Sequence, residues 1–366
     1  MFTSRLERLG NLLRKSDIAG IALNAGPSLT YFTGLNFHLM ERPVVLIVVQ
    51  GSDPVLILPH MEGAKVDGVT GLRPFFYGEN PQEWPKVFTL ACKEAGVTGL
   101  TLGVEPLQFR LLEYNLLKSS AVVDLVDGTA LIKELRSIKE QAEIERLQKA
   151  VDIAQSALQS TLPLVKSGMS EKELAGELVV QLYRSGSDSV LPFSPIVSSG
   201  PNGANPHATP SSRKLTEGDL LVIDWGASYA GYVSDLTRTF AIGEIDTESA
   251  KIHELVQQAS AAGRAAGCVG ATCSDVDRAA RRVIEEAGYG EYFPHRTGHG
   301  IGMQCHEEPY IRGDNELPLQ AGMTFTVEPG IYLPGKNGVR IEDDVLVTED
   351  APRALSSLPR RIIRLA

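Results

Sequence analysis

The stretch from Lys214 to Thr239, KLTEGDLLVIDWGASYAGYVSDLTRT, occurs twice in outline. About a hundred residues further on, Leu215, Gly218, Asp224 and Gly226 find counterparts in Leu319, Gly322, Glu328 and Gly330 of PLQAGMTFTVEPGIY, as in a duplicated unit. Each copy reads as a turn, a strand of mixed polarity, an acid, one spacer and a glycine. Each is followed by a second acidic strand, Val233-Ser-Asp235-Leu-Thr237 in the first copy and Val339-Arg-Ile-Glu342-Asp343 in the second. Two related hairpins with two acids apiece can bring four carboxylates to one point. Carboxylates so close repel, and they do not all ionise unless a cation lies among them. The economical reading is a metal site at the centre of a duplicated αβ unit.

The surrounding pattern supports the duplication. Helical stretches at 140–161 and 170–186 precede the first hairpin, and others at 247–266 and 275–287 precede the second. The stretch at 170 opens with Ser170-Glu-Lys-Glu173, a capping box in which each of the two end residues satisfies an orphan amide. The charged run 130–150, with Lys133, Glu134, Arg136, Lys139, Glu140, Glu143 and Glu145, reads as a helical connector.

Before it lies a different composition of elements. Leu6, Leu9, Leu12 and Leu13 mark an amphipathic helix, and 21–23 reads as a strand. The segments 44–49 and 55–58 form a hairpin across Gln50-Gly-Ser-Asp53-Pro. Helices at 84–95 and 108–118 and strands at 102–104 and 122–125 complete a small α/β domain without a catalytic constellation. A length of 366 residues exceeds one comfortable core. The expectation is an α/β (α+β) protein with domains at 1–128 and 129–366.

A net charge of −10 argues against nucleic acid as a partner. No eighteen-residue apolar run suggests a membrane span, and charged residues stand where a signal peptide needs an apolar core. Cys92, Cys268, Cys273 and Cys305 are scattered without a CxxC pair, as reduced thiols of a cytoplasmic protein would be.

Histidines join the acids. His295-Arg-Thr-Gly-His299-Gly-Ile-Gly sets His299 among glycines, which let a backbone approach a ligand or ion closely. His306-Glu307 follows, and Asn205-Pro-His207 lies upstream. A lone histidine is more often a hydrogen-bonded core residue, but four acids in the same repeat favour His299 as a ligand. Oxygen-rich ligation with one imidazole suits Mn(II), Co(II) or Zn(II), and bridging carboxylates would hold two ions.

Asp224, Asp235, His299, Glu328 and Glu342, in the contexts SDLTRT, GHGIG, VEPGIY and RIEDD, resemble the pita-bread metallopeptidases: prolidase, aminopeptidase P and methionine aminopeptidase. The likeness covers residues 137–366. Leu29-Thr-Tyr-Phe-Thr-Gly34 resembles the creatinase/prolidase N-terminal domain, so a smaller creatinase-like α/β domain would precede the pita-bread domain. The resemblance implies that Asp224 chelates one metal, that Asp235 and Glu342 bridge, and that His299 and Glu328 complete the two shells. It implies two divalent ions per subunit, Mn first, with Co or Zn as alternatives. His207 and His306 match the family's two non-ligand histidines, which contact substrate and the developing tetrahedral intermediate. Glu328 would carry the proton from the attacking water to the leaving amine, or act only as a ligand.

The expected activity is hydrolysis of Xaa-Pro bonds at the N-terminus of short peptides, as a dipeptidase or an aminopeptidase. Two alternatives stand beside it. Methionine aminopeptidase-like activity is disfavoured by the extra first domain. A catalytically silent or creatinase-like relative used for binding is disfavoured by the filled ligand positions. The resemblance also implies a homodimer in which one subunit's first domain lies near the other's pocket, with Tyr31 and Phe32 lining a wall there or filling their own core.

Four further readings complete the site. Arg340, two residues before Glu342, shares its strand face and could orient a carboxylate ligand. Arg312, in Pro309-Tyr-Ile-Arg312-Gly, could grip a substrate carboxylate or be a surface arginine. Asp343 and Asp344 read as a solvated strand end. Cys305 reads as a packed thiol rather than a redox handle.

Overall fold

The computed structural model describes residues 2–365, and the chain divides into two compact units between Arg136 and Ser137. The first runs α1 (Phe2–Leu13), β1 (Gly20–Asn24), α2 (Pro27–Thr33), β2 (Val45–Val49), β3 (Val55–Pro59), β4 (Arg73–Tyr77), α3 (Trp84–Glu94), β5 (Thr101–Val104), α4 (Leu111–Ser119), β6 (Asp124–Asp127) and α5 (Thr129–Ser137). Its strands form one mixed sheet ordered β4-β3-β2-β1-β5-β6. The expected hairpin is there, with Val45 opposite Ile57. β1 and β3 are buried along their whole length, as continuous apolar runs require. Phe88, Ala91 and Cys92 of α3 and Leu116 and Leu117 of α4 share a core with Ala22, Val45, Ile47 and Ile57 of the sheet.

Leu29–Gly34 is helical rather than a loop. It lies in α2, which has a proline in its first turn and stops at Gly34 with φ 74, a left-handed conformation that glycine adopts without cost. Tyr31 is 1% exposed and Phe32 is 0% exposed. The Arg5 guanidinium lies 3.9 Å from the centroid of the Tyr31 ring, and the Tyr31 hydroxyl donates to the Leu135 carbonyl at 2.9 Å. Tyr31 is therefore a core residue of its own unit, with no edge left to line a substrate wall.

The charged connector is two helices rather than one. α5 ends at Ser137, and α6 (Gln141–Thr161) starts after Glu140, which forms a capping box with Glu143. Between them Lys139 donates its backbone N–H to Gly322 O and its ammonium to Glu307, 2.9 Å away. Those tertiary bonds take the backbone that a continuous helix would have used.

The second unit continues with α7 (Glu171–Arg184), β7 (Ile196–Ser199), β8 (Leu220–Trp225), β9 (Ser228–Tyr229), β10 (Tyr232–Val233), β11 (Leu236–Ile242), α8 (Thr247–Ala266) and α9 (Cys273–Glu286). It ends with β12 (Gly298–Gly300), β13 (Glu307–Ile311), β14 (Thr324–Val327), β15 (Gly330–Leu333), β16 (Asn337–Arg340), β17 (Asp343–Leu346), β18 (Arg353–Ala354) and β19 (Arg364–Leu365). The repeat is visible in this order. β8 and β11 pair antiparallel around the β9–β10 excursion, and β14 and β17 pair antiparallel around β15–β16. Each pair sits in a larger sheet, ordered β19-β11-β8-β7 and β13-β12-β14-β17-β18.

Helix pairs cover both sheets. Leu147 and Val151 of α6 and Leu174 and Leu178 of α7 pack with Val197, Ile223 and Trp225. Ile252 and Val256 of α8 pack with Leu220, Val339 and Ile341, while Val276 of α9 packs with Phe325 and Val327. The two halves meet where Glu342 donates its backbone N–H to Thr237 O at 3.0 Å. That contact sets the acidic strands side by side.

Candidate metal centre

Asp224 is in β8, Asp235 precedes β11, Glu328 follows β14 and Glu342 precedes β17, so all four acids stand at the same end of the two strand pairs. His299 is the middle residue of β12, wedged between β13 and β14. The glycines beside it serve that wedge rather than an ion. A Cβ on Gly298 would lie 1.9 Å from Thr326 O, and one on Gly300 would lie 2.2 Å from Glu308 O. Only glycine admits the neighbouring strands so closely.

The side chains converge. Asp224, Asp235 and Glu342 form one group whose ligand atoms lie within 4.8 Å of one another, His299, Glu328 and Glu342 a second, and Asp235, His299 and His306 a third. His299 Nε2 is 3.6 Å from Asp235 Oδ2 and 3.5 Å from Glu328 Oε1. Its Nδ1 faces the Gly300 carbonyl at 3.1 Å, an acceptor, so Nδ1 carries the proton and Nε2 presents its lone pair to the carboxylates.

Arg340 and Thr237 hold the acids from behind. Arg340 Nη2 donates to Asp224 Oδ2 at 2.6 Å, and its Nε donates to Thr237 Oγ1 at 3.1 Å. Thr237 in turn donates to Glu342 Oε2 at 2.7 Å. Arg340 Nη1 donates to the Tyr332 hydroxyl at 3.0 Å and to Pro206 O at 3.2 Å. Neither Thr237 nor Tyr332 was singled out by the sequence. Thr237 carried a usable signal, since it lies two residues after Asp235 and hence on the same strand face.

Asp343 and Asp344 are not solvated, because β17 is an interior strand of its sheet and both acids are 0% exposed. Buried carboxylates need partners. Asp343 pairs with Arg238 at 2.7 Å, Arg360 at 2.5 Å and Arg264 at 3.4 Å. Asp344 Oδ2 accepts the Asp235 backbone N–H at 3.1 Å and so fixes that acid's main chain. Cys305 is half-buried, and its thiol donates to Asp235 Oδ2 at 3.0 Å. Burial and then the Asp235 charge push that thiol's pKa up, which keeps it protonated.

His306 packs edge-on to His299, ring centroids 4.1 Å apart, and reaches solvent on its other side. The protein around it, and then the charges of Arg296 and His207, hold it below the ordinary histidine pKa, so it is neutral at pH 7. His207 is exposed on the loop after β7, close enough for its charge to act on Asp224 and His306. Arg312 stands apart from the cluster. It pairs with Asp314 at 2.9 Å and lines a cleft with His295 and Arg296.

This donor set fits divalent metal. Asp224 Oδ1 is buried without a hydrogen-bond partner. Burial raises the carboxyl pKa of Asp224, Asp235 and Glu342, and it pushes Glu328 up to about 8. Mutual repulsion adds to the rise at Asp235 and Glu342, while Arg340 opposes it at Asp224. A cation among the oxygens would reverse that balance.

Raised carboxyls bind protons more tightly folded than unfolded, so their penalty is absent below the ordinary carboxylate range and grows as pH climbs towards about 8 for Glu328. Metal-free protein is expected to melt lower at pH 8 than at pH 5, and Mn(II) should raise the melting temperature more at pH 8. Thermal melts at both pH values, with and without metal, check this. Equal metal-free melting at the two would contradict it.

Comparison with known proteins accords with this geometry. The model of metallopeptidase family M24 matches residues 145–349, and the model of the creatinase/prolidase N-terminal domain matches residues 5–138. The chain belongs to metallopeptidase family M24. It is a metal-dependent peptidase, and its second unit has the pita-bread fold. It is 36% identical to a probable dipeptidase, PepE, of Mycobacterium tuberculosis over 99% of this chain and 96% of that one. It is 33% identical to the Xaa-Pro dipeptidase of Pyrococcus furiosus, over 98% and 99% of the two chains. The solved prolidase of Thermococcus sibiricus superposes with a TM-score of 0.93 at 36% identity, covering 100% of this M24 chain and 99% of the other.

Proposed function

We propose that this M24 enzyme hydrolyses Xaa-Pro dipeptides in the cytoplasm, with two divalent cations, Mn(II) first among them, held by Asp224, Asp235, His299, Glu328 and Glu342. The observation that carries the reading is the convergence of these five side chains into overlapping groups with ligand atoms within 4.8 Å, in a chain that dipeptidases match nearly end to end. The free state of Cys92, Cys268, Cys273 and Cys305 supports a reducing compartment. When bound, the cations would polarise the scissile carbonyl and acidify water enough for attack near neutral pH.

The chain's own residues do the rest. Asp235 and Glu342 occur in two groups each, which suits them to bridge. Arg340 and Thr237 lock Asp224 and Glu342 in orientation, so the acids need not reorganise during the reaction. Glu328 has 16% of its side chain exposed, against 11% for Asp224 and 7% for Asp235. As the most accessible of these acids, it is suited to take the proton of the attacking water and hand it to the leaving nitrogen. Neutral His306 donates to the carbonyl oxygen as negative charge develops there. His207 meets the substrate from the opposite loop.

A rate comparison tests the proposal. With Mn(II) added, an Xaa-Pro dipeptide should be cleaved faster than an Xaa-Pro-Xaa tripeptide, and a Met-Ala peptide should be poor. A preference for the tripeptide would make the enzyme an aminopeptidase, and a preference for Met-Ala would overturn the Xaa-Pro assignment.

A further inference from the structure

The loop that carries His207 is rooted on one buried acid. Glu171, the first residue of α7, is 0% exposed. Its Oε1 accepts from Ser199 N at 2.8 Å, Ser199 Oγ at 2.9 Å and Asn202 Nδ2 at 3.1 Å. Its Oε2 accepts from Asn202 Nδ2 at 3.0 Å, Ser211 N at 3.0 Å and Ser211 Oγ at 2.7 Å. Ser199 ends the strand entering the loop, and Ser211 lies where the chain leaves it. One carboxylate therefore closes both limbs of the segment whose tip is Asn205-Pro206-His207.

The helix start reinforces the clamp. Ser170 and Glu173 form the capping box, which leaves the backbone N–H groups of Glu171 and Lys172 free to donate to Arg213 O and Ser211 O, each at 3.1 Å. The helix N-terminus also favours a negative charge at that position. Burial opposes ionisation of Glu171, yet the hydrogen bonds from Ser211, Ser199 and Asn202 hold its carboxyl below the usual range. At the far side of the loop, Pro206 O accepts from Arg340, the same guanidinium that holds Asp224. The loop's root and its tip are thus tied to two different acids, one structural and one in the metal centre.

We propose that Glu171 is a positioning residue for His207, holding the loop so that the imidazole meets substrate beside Asp224. The inference rests on the catalytic role given to His207 above. A carboxylate suits this post because every partner is a donor, and an amide in its place would turn N–H against N–H.

The test is a double-mutant cycle of Glu171→Gln and His207→Ala, read as kcat, metal content and amide hydrogen exchange. Glu171→Gln should keep its metal, speed exchange across residues 199–211, and lower kcat roughly tenfold to a hundredfold, as small displacements of a reacting group do. In the His207→Ala background the same change should cost less than about twofold, because the residues act as one unit. An equal loss in both backgrounds would overturn the inference, since Glu171 would then act through general stability. Faster loop exchange with unchanged kcat would overturn it as well. If His207→Ala alone is fully active, the role of His207 fails first and this inference with it. Should Glu171→Gln not fold, Asn202→Ala, which removes two of the contacts, takes its place in the cycle with the same signs expected.

Discussion

Asp235→Asn is expected to abolish peptide hydrolysis, with kcat/KM falling on the order of a thousandfold or more, because the effect removes an electrostatic term of several kcal/mol. Asp235 belongs both to the group with Asp224 and Glu342 and to the group with His299 and His306, so it stands where the two halves of the centre meet. A carboxylate there can share its oxygens between two cations. A neutral amide offers one oxygen and turns its N–H groups towards the His299 lone pair 3.6 Å away. The fold should survive, since the Asp235 backbone N–H still bonds Asp344 and the substitution conserves volume. Metal analysis beside kinetics decides the matter. A full metal complement with near-normal turnover would remove Asp235 from the bridging role.

His306→Ala is expected to lose on the order of a hundredfold in kcat while keeping its metal, as removal of an oxyanion donor does. The geometry makes this a sharp test. His306 lies close enough to Asp235 and His299 to complete a ligand group of its own. Yet its ring opens to solvent, and His299 needs no help from it, because the Gly300 carbonyl already fixes the imidazole. His207→Ala should behave in the same way, since its backbone N–H is held by Asn205 and the Pro206 carbonyl before it by Arg340, independently of its ring. A His306 variant purified without metal would make that residue a ligand and leave the oxyanion to another donor.

The spacing of acids along the two repeats was enough to single out the carboxylates that the fold brings together, because strand periodicity decides which face a residue occupies. It also pointed to Arg340 as a group that orients a carboxylate, which in the fold is Asp224, and the capping rules placed the start of α7 at Ser170. What neighbours those faces meet is a matter of register between segments about a hundred residues apart, which no local pattern encodes. Thr237 reaches Glu342 because β11 lies against the chain entering β17, and Asp343 is buried because β17 is an interior strand. Tyr31 is enclosed because α2 turns it towards Arg5 and Leu135. Glu171 gave no signal beyond the cap beside it, since its donors come from Ser199, Asn202 and Ser211, which only the folded chain gathers. The sequence determined which groups carry charge and which way each strand presents them. The tertiary structure alone decided which charges are solvated, paired or left facing one another, because that depends on the dielectric and the partners supplied by the rest of the fold.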